Sequence, residues 1–176
     1  MVFTRGECME KQILEQWIQK LKRKEEEAFD VIYEEYKNLI YYCIYQITKD
    51  AMLSEDILQE AFLHMMHNIQ HYQENTNFKA WFVRLAKNLT LNQLRSQKET
   101  IPLTEEILYK ESDTNHETFE LIRHLESFLT KEEVEIVVLK IVYQFTHQEI
   151  ANTLDKPLGT VLWMYQKAVK KMKQNY

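Results

Sequence analysis

Between positions 84 and 95 the chain sets three cations and two amides at helical spacing: Arg84, Lys87, Asn88, Asn92 and Arg95. Residues 79 to 98 contain no Asp or Glu. On a helix turning about 100° per residue these side chains form one polar stripe, with Trp81 at its margin, where core packing is the favoured role for its indole. Cations bind phosphates, and amides can bond base edges. Aromatic and amide groups beside cations are what single-stranded DNA needs, because unstacked bases must be held by stacking and hydrogen bonds. Stacking is worth about 1–3 kcal/mol per base, so two or three captured bases offset local unpairing. A second set lies near the end of the chain: Thr160, Trp163, Gln166, Lys167 and Lys170. An amide and lysines on the outer face of a helix can reach base edges and phosphates from a major groove. Trp163 is the informative member, since a tryptophan on a polar face is seldom there for stability. It can pack on thymine methyls or be covered by a protein partner.

A third set has a different character. Asp56, Gln59, Glu60, Leu63 and His67 make an acidic and amide surface with one exposed leucine, suited to docking on a basic protein helix, although on its own such a mixture is more often a solvated helix face. His64, His67 and His71 have spacing that could hold a metal, but no thiol or fourth ligand stands nearby. There is no phosphate-cradling glycine loop and no nucleophile elbow. No catalysis, cofactor or metal is expected.

The elements that must position these groups are helices. The 176 residues include only 2 Gly and 2 Pro, too few for strands joined by tight turns, while 45% hydrophobic content supports a packed core. The class is all-α. A helical stretch runs from about Met9 to Thr48, broken near Lys22 to Glu26. Its second half carries Phe29, Ile32, Tyr33, Tyr36, Ile40, Cys43, Ile44 and Ile47 at three-four spacing. The next helix starts at Ser54 as N-cap and continues to about Gln70, burying Ile57, Leu58, Ala61, Phe62, Met65 and Ile69. A polar loop, His71 to Asn77, precedes a helix from Phe78 to about Gln97 that buries Phe82, Leu85, Ala86 and Leu89. Residues 99 to 116 read as an acidic linker. Glu117 to Leu129 forms a helix, and two capping boxes follow, Thr130 with Glu133 and Thr146 with Glu149. The first opens a helix carrying Val134, Val137, Val138 and Ile141. The second opens a short helix, then a turn through Asp155 to Pro157, then a last helix to about Gln174. Val161, Tyr165, Ala168 and Met172, with Val169 beside them, are its core face. Short helix, turn and longer helix have the proportions of a helix-turn-helix unit. Two small helical domains therefore occupy 9–98 and 117–176.

Net charge is −5, yet the charge is divided along the chain. Two cationic islands, 79 to 98 and 156 to 176, contain no acid. Between them, residues 99 to 135 set many acids against Lys110, Arg123 and Lys131. Local sign governs attraction within about 10 Å at ordinary salt. No apolar run is long enough to span a membrane and the start lacks a signal-peptide core, so a cytoplasmic location is expected. Cys8 and Cys43 match no zinc or redox spacing, and Cys43 is expected to be a buried thiol.

Four motifs in this order resemble the extracytoplasmic-function group of bacterial RNA polymerase sigma factors. Ser54-Glu55-Asp56-Ile57-Leu58-Gln59-Glu60-Ala61-Phe62 resembles the family's acid-acid-aliphatic-x-Gln-Glu-x-Phe pattern. Phe78 to Asn88, followed by Arg95, resembles its Phe-x-x-Trp run. Glu149-Ile150-Ala151 and Gly159-Thr160-Val161 resemble its C-terminal module. The resemblance covers about 25 to 98 and 117 to 174. It implies a region 2-like domain followed by a region 4-like domain, and partners that include the β and β′ subunits of core polymerase and promoter DNA. Asp56, Gln59, Glu60 and Leu63 would meet β′ clamp helices. Arg84, Lys87, Asn88, Asn92 and Arg95, with Tyr72 and Asn75 from the loop, would read and open the −10 element. Thr160, Trp163, Gln166, Lys167 and Lys170 would read the −35 duplex, and the linker would thread near the RNA exit path. Family members are often held by a membrane-linked anti-sigma factor, though no residue here specifies one.

Three departures stand out. After Gly159-Thr160-Val161 the family usually continues with cations, whereas this chain has Leu162-Trp163-Met164, which moves phosphate anchoring toward Lys170, Lys171 and Lys173. Asn92 replaces a common Asp. Asp155 replaces a common turn Gly, and Asp tolerates a left-handed backbone better than most residues. The competing reading is a helix-turn-helix regulator that does not bind core polymerase. It leaves the Asp56 face and the Arg84–Arg95 stripe unexplained.

Overall fold

The computed structural model describes residues 11–74, 76–98 and 116–175. The linker assigned to 99–116 lies outside the described residues but for its last position, as do Asn75 and Cys8. Among the described residues all regular structure is helical, and they fall into two compact units, one within 9–112 and one within 113–176. No helix among them is long and apolar enough to cross a membrane.

The first unit contains α1 (Lys11–Lys22), α2 (Glu26–Thr48), α3 (Ala51–Asn68), a single 3-10 turn (Ile69–His71) and α4 (Phe78–Lys98). The break expected near Lys22 to Glu26 falls between α1 and α2, where Lys24 takes a left-handed φ of 62°. Helix α2 packs against α1, α3 and α4. Its buried face includes Ile32, Tyr36, Ile40, Cys43 and Ile44. Phe62 from α3 and Phe82 from α4 meet edge to face at 5.0 Å between ring centres, and Tyr36 meets Phe78 at 5.2 Å. Edge-to-face pairs place a positive ring edge on a negative ring face, so they fix orientation as well as burying area. Phe62 thereby anchors α3 with Gln59 turned outward.

Helix α3 begins earlier than its sequence suggests. Asp50 is the N-cap and accepts a hydrogen bond from the Leu53 amide at 3.1 Å. Ser54 is buried inside the helix, where its hydroxyl bonds the Asp50 carbonyl oxygen and lies 2.7 Å from the Thr48 hydroxyl. Helix α4 is also rotated slightly from expectation. Phe82, Val83, Ala86 and Thr90 are buried, while Leu85 and Leu89 are half-buried. Thr90 enters the core because its hydroxyl donates to the Ala86 carbonyl oxygen at 2.8 Å, which removes the cost of burying it.

The second unit contains α5 (His116–Glu126), α6 (Lys131–Ile141), α7 (His147–Thr153) and α8 (Leu158–Asn175). Both capping boxes are formed. Helix α8 packs on α6 and α7, and α5 packs on α6. Val134, Val137 and Val138 are buried, but Ile141 ends its helix half exposed. On α8 the buried residues are Val161, Met164 and Ala168. Tyr165, Val169 and Met172 flank them half-buried. Asp155 turns the chain between α7 and α8 with φ 50°, and Lys156 donates its amide to the Ala151 carbonyl oxygen at 3.0 Å.

Candidate nucleic-acid and protein interfaces

On α4, the buried row from Phe82 to Thr90 fixes the opposite side outward. Arg84, Asn88, Asn92 and Arg95 are all exposed, and Lys87 is half-buried beside them. Arg84 and Arg95 make no ion pair among the described residues, and no acid lies on the helix. Among the described residues their positive charge is unpaired, and on an exposed face it attracts an external polyanion. Asn77 starts the helix by accepting the Ala80 amide on its side-chain oxygen at 2.8 Å. Trp81 is half-buried, with its ring 5.5 Å from those of both Phe78 and Tyr72.

The loop before α4 corrects one expectation. Tyr72 is 3% exposed and does not offer its ring to a base. Its hydroxyl donates either to Glu15 at 3.1 Å or to the Thr76 carbonyl oxygen at 3.2 Å. Burial, against the lowering effect of the Thr76 contact and with the nearby Glu15 and Glu74 charges, pushes the phenol up to about 12. Lys22 donates to the Tyr72 carbonyl oxygen at 3.2 Å and pairs with Glu74 at 3.3 Å. Tyr72 thus ties the loop to α1. The resemblance places Tyr72 against the −10 element, and the sequence carries no sign of the α1 carboxylate that receives its hydroxyl.

On α3, Asp56, Gln59 and Leu63 are exposed, Leu63 by 59%. Glu60 is half-buried and already engaged: Gln93 of α4 donates to it, and His64 lies 3.8 Å away. Gln93, one position from Asn92, was not among the residues singled out from sequence, yet it joins the acidic surface of α3 to the cationic helix α4. Met52, 72% exposed, extends the same surface by a turn and was missed because α3 was expected to start at Ser54. His67 faces the Leu63 carbonyl oxygen at 2.7 Å. Among the described residues no three His, Cys, Asp or Glu side chains gather as a metal site.

On α8, Thr160, Trp163, Gln166, Lys167 and Lys170 are exposed together. Trp163 is 60% exposed, with the Lys167 ammonium 5.0 Å from its ring centre. Lys167 also lies 3.6 Å from Glu133, and Lys171 lies 2.6 Å from the same carboxylate. Glu133 is 1% exposed. Burial would raise its pKa, but the Lys171 hydrogen bond, the Thr130 amide and the two ammonium charges outweigh that and hold it below the ordinary value. Lys171 is therefore tied inward, whereas Lys170 and Lys173 are exposed.

Residues 32–100 match the family described as sigma-70 region 2. The chain is 29% identical over 161 residues to the ECF RNA polymerase sigma factor SigW of Bacillus subtilis (strain 168), covering 82% of this chain and 86% of that protein. It is 30% identical to SigM of the same organism over 81 residues, covering 46% and 49% respectively. The fold matches the sigma factor RpoE, solved in complex with the anti-sigma factor NepR from Bartonella quintana, with a TM-score of 0.61 at 13% identity. That match covers 83% of this chain and 94% of the other.

Proposed function

We propose a function that proceeds from one premise: the chain belongs to the extracytoplasmic-function group of the bacterial sigma-70 family. It is an RNA polymerase sigma factor acting in transcription initiation. The family consists of non-enzymatic transcription factors, and the chain itself performs no catalytic step. In this reading residues 9–98 bind core polymerase and open the −10 element, while residues 117–176 read the −35 duplex. Asp56, Gln59, Glu60 and Leu63 meet a basic helical surface of the β′ subunit. Arg84, Lys87, Asn88, Asn92 and Arg95, with Asn75 from the loop, hold the separated strand. Thr160, Trp163, Gln166, Lys167 and Lys170 face the duplex. The protein acts in the cytoplasm beside its polymerase, and an anti-sigma factor is its expected inhibitor.

One observation carries this reading: an exposed, acid-free stripe of cations and amides on α4, rigidly backed by the aromatic core. The test is reconstituted transcription with purified core polymerase on genomic DNA, with start sites mapped. Specific starts that require this chain are expected. A chain that binds promoter duplex but never associates with core polymerase would overturn the proposal.

A further inference from the structure

The outer face of α8 departs from an ordinary phosphate-gripping helix. Gly159, Leu162, Trp163, Gln166 and Lys170 share it, with Lys167 and Thr160 at one margin. Leu162 is 37% and Trp163 60% exposed, yet the helix has no acid in its first turn and the chain has none from 156 onward. Gly159 adds an independent sign. A Cβ built there meets nothing within 4 Å, and no left-handed backbone requires glycine. Glycine is among the poorest helix formers. The protein gains nothing internally from it, whereas an external surface approaching closely would.

The indole is also held in place. Lys167 packs over the ring at 5.0 Å and lies 3.6 Å from the buried Glu133 carboxylate of α6. A fixed aromatic beside an amide and lysines matches a major groove, where thymine C5-methyl groups are apolar and flanked by hydrogen-bonding edges and phosphates. A protein partner would satisfy the tryptophan and leucine equally. It would leave the acid-free run of Gln166, Lys170 and Lys173 without purpose.

We propose that Trp163, positioned by Lys167, determines sequence specificity by packing on thymine methyl groups of the upstream promoter duplex. This rests on the sigma-factor reading and goes beyond it. Each methyl removed should weaken promoter use about fourfold, from the transfer free energy of one buried carbon.

The test uses holoenzyme reconstituted with the full chain, on a promoter it selects from genomic DNA. Each upstream thymine is replaced in turn by deoxyuridine, which lacks only the methyl. Expected is a loss of about fourfold at one or two positions with the wild-type chain. Trp163→Ala should then initiate more weakly at the same start, with no remaining difference between thymine and deoxyuridine. Lys170→Ala, as a companion variant, should weaken both templates alike. Wild-type indifference to deoxyuridine throughout, with transcription otherwise normal, overturns this inference alone. So does unchanged promoter use by Trp163→Ala, which would assign the indole to a protein partner. Failure to form holoenzyme overturns the inference together with the sigma reading.

Discussion

Glu133 is the buried charge on which the C-terminal unit depends. Its carboxylate accepts the Thr130 amide at 2.9 Å, closing the capping box of α6, and receives Lys171 at 2.6 Å and Lys167 at 3.6 Å from α8. Glu133→Gln keeps the shape and an acceptor for Thr130 but removes the charge. A hydrogen bond to a charged group contributes about 1.5–3 kcal/mol, offset in part because a neutral amide is cheaper to bury. A net loss of about 1 kcal/mol is expected. Glu133→Ala also opens the capping box, which costs about 1 kcal/mol more. Hydrogen exchange in the full chain measures this locally. Amides of α6 to α8 should exchange about fivefold faster in the Gln variant and about thirtyfold faster in the Ala variant, with residues 11–98 unchanged. The pH dependence follows from sign. A carboxyl held below its unfolded value adds stability that is present above the ordinary glutamate value of 4.5 and lost as pH falls through the folded pKa. Only the wild type should show that acid-side loss. Wild-type-like exchange and acid response in Glu133→Gln would refute the argument that charge joins α6 to α8.

His147 makes a separate contribution at milder pH. Burial first, then the Lys140 charge, lowers its pKa below 6.5, and its ring lies 4.9 Å from Tyr165. Acidification below about 6.5 should therefore weaken exchange protection of α7 and α8, and His147→Phe should abolish that step. Tyr72→Phe should destabilise the first unit by about 1 kcal/mol through loss of its hydroxyl contact, leaving promoter opening near normal in permanganate footprinting. For the wild type, the raised phenol pKa means that stability present below pH 10 is lost toward about 12. Gly159→Ala should raise thermal stability by up to about 1 kcal/mol yet reduce occupancy of the upstream duplex.

Sequence was most legible where polar and apolar positions alternated without ambiguity. The α1–α2 break, the start of α4 and both capping boxes follow from local chemistry alone, and the left-handed Asp155 from its standing where the resembling family has a turn Gly. Rotational phase was harder. Thr90 looks polar but satisfies itself on the Ala86 carbonyl oxygen, so it could replace Leu89 in the core. Met164 and Tyr165 differ by one position, and a wheel cannot tell which is swallowed and which lies against His147. Ser54 and Asp50 are both good caps, and only Asp50 bonds a free helix amide. Tyr72 and Glu133 depend on partners 57 and 38 positions away, beyond any local pattern.

The central claim is that α4 holds open DNA while α3 holds polymerase. It is tested most directly by measuring core affinity and promoter opening in parallel for Arg84→Ala and Asn88→Ala. Core affinity should stay within a factor of about two, while permanganate-reactive opening falls about tenfold, the effect of 1.4 kcal/mol. Equal losses in both, or wild-type opening in both variants, would contradict it.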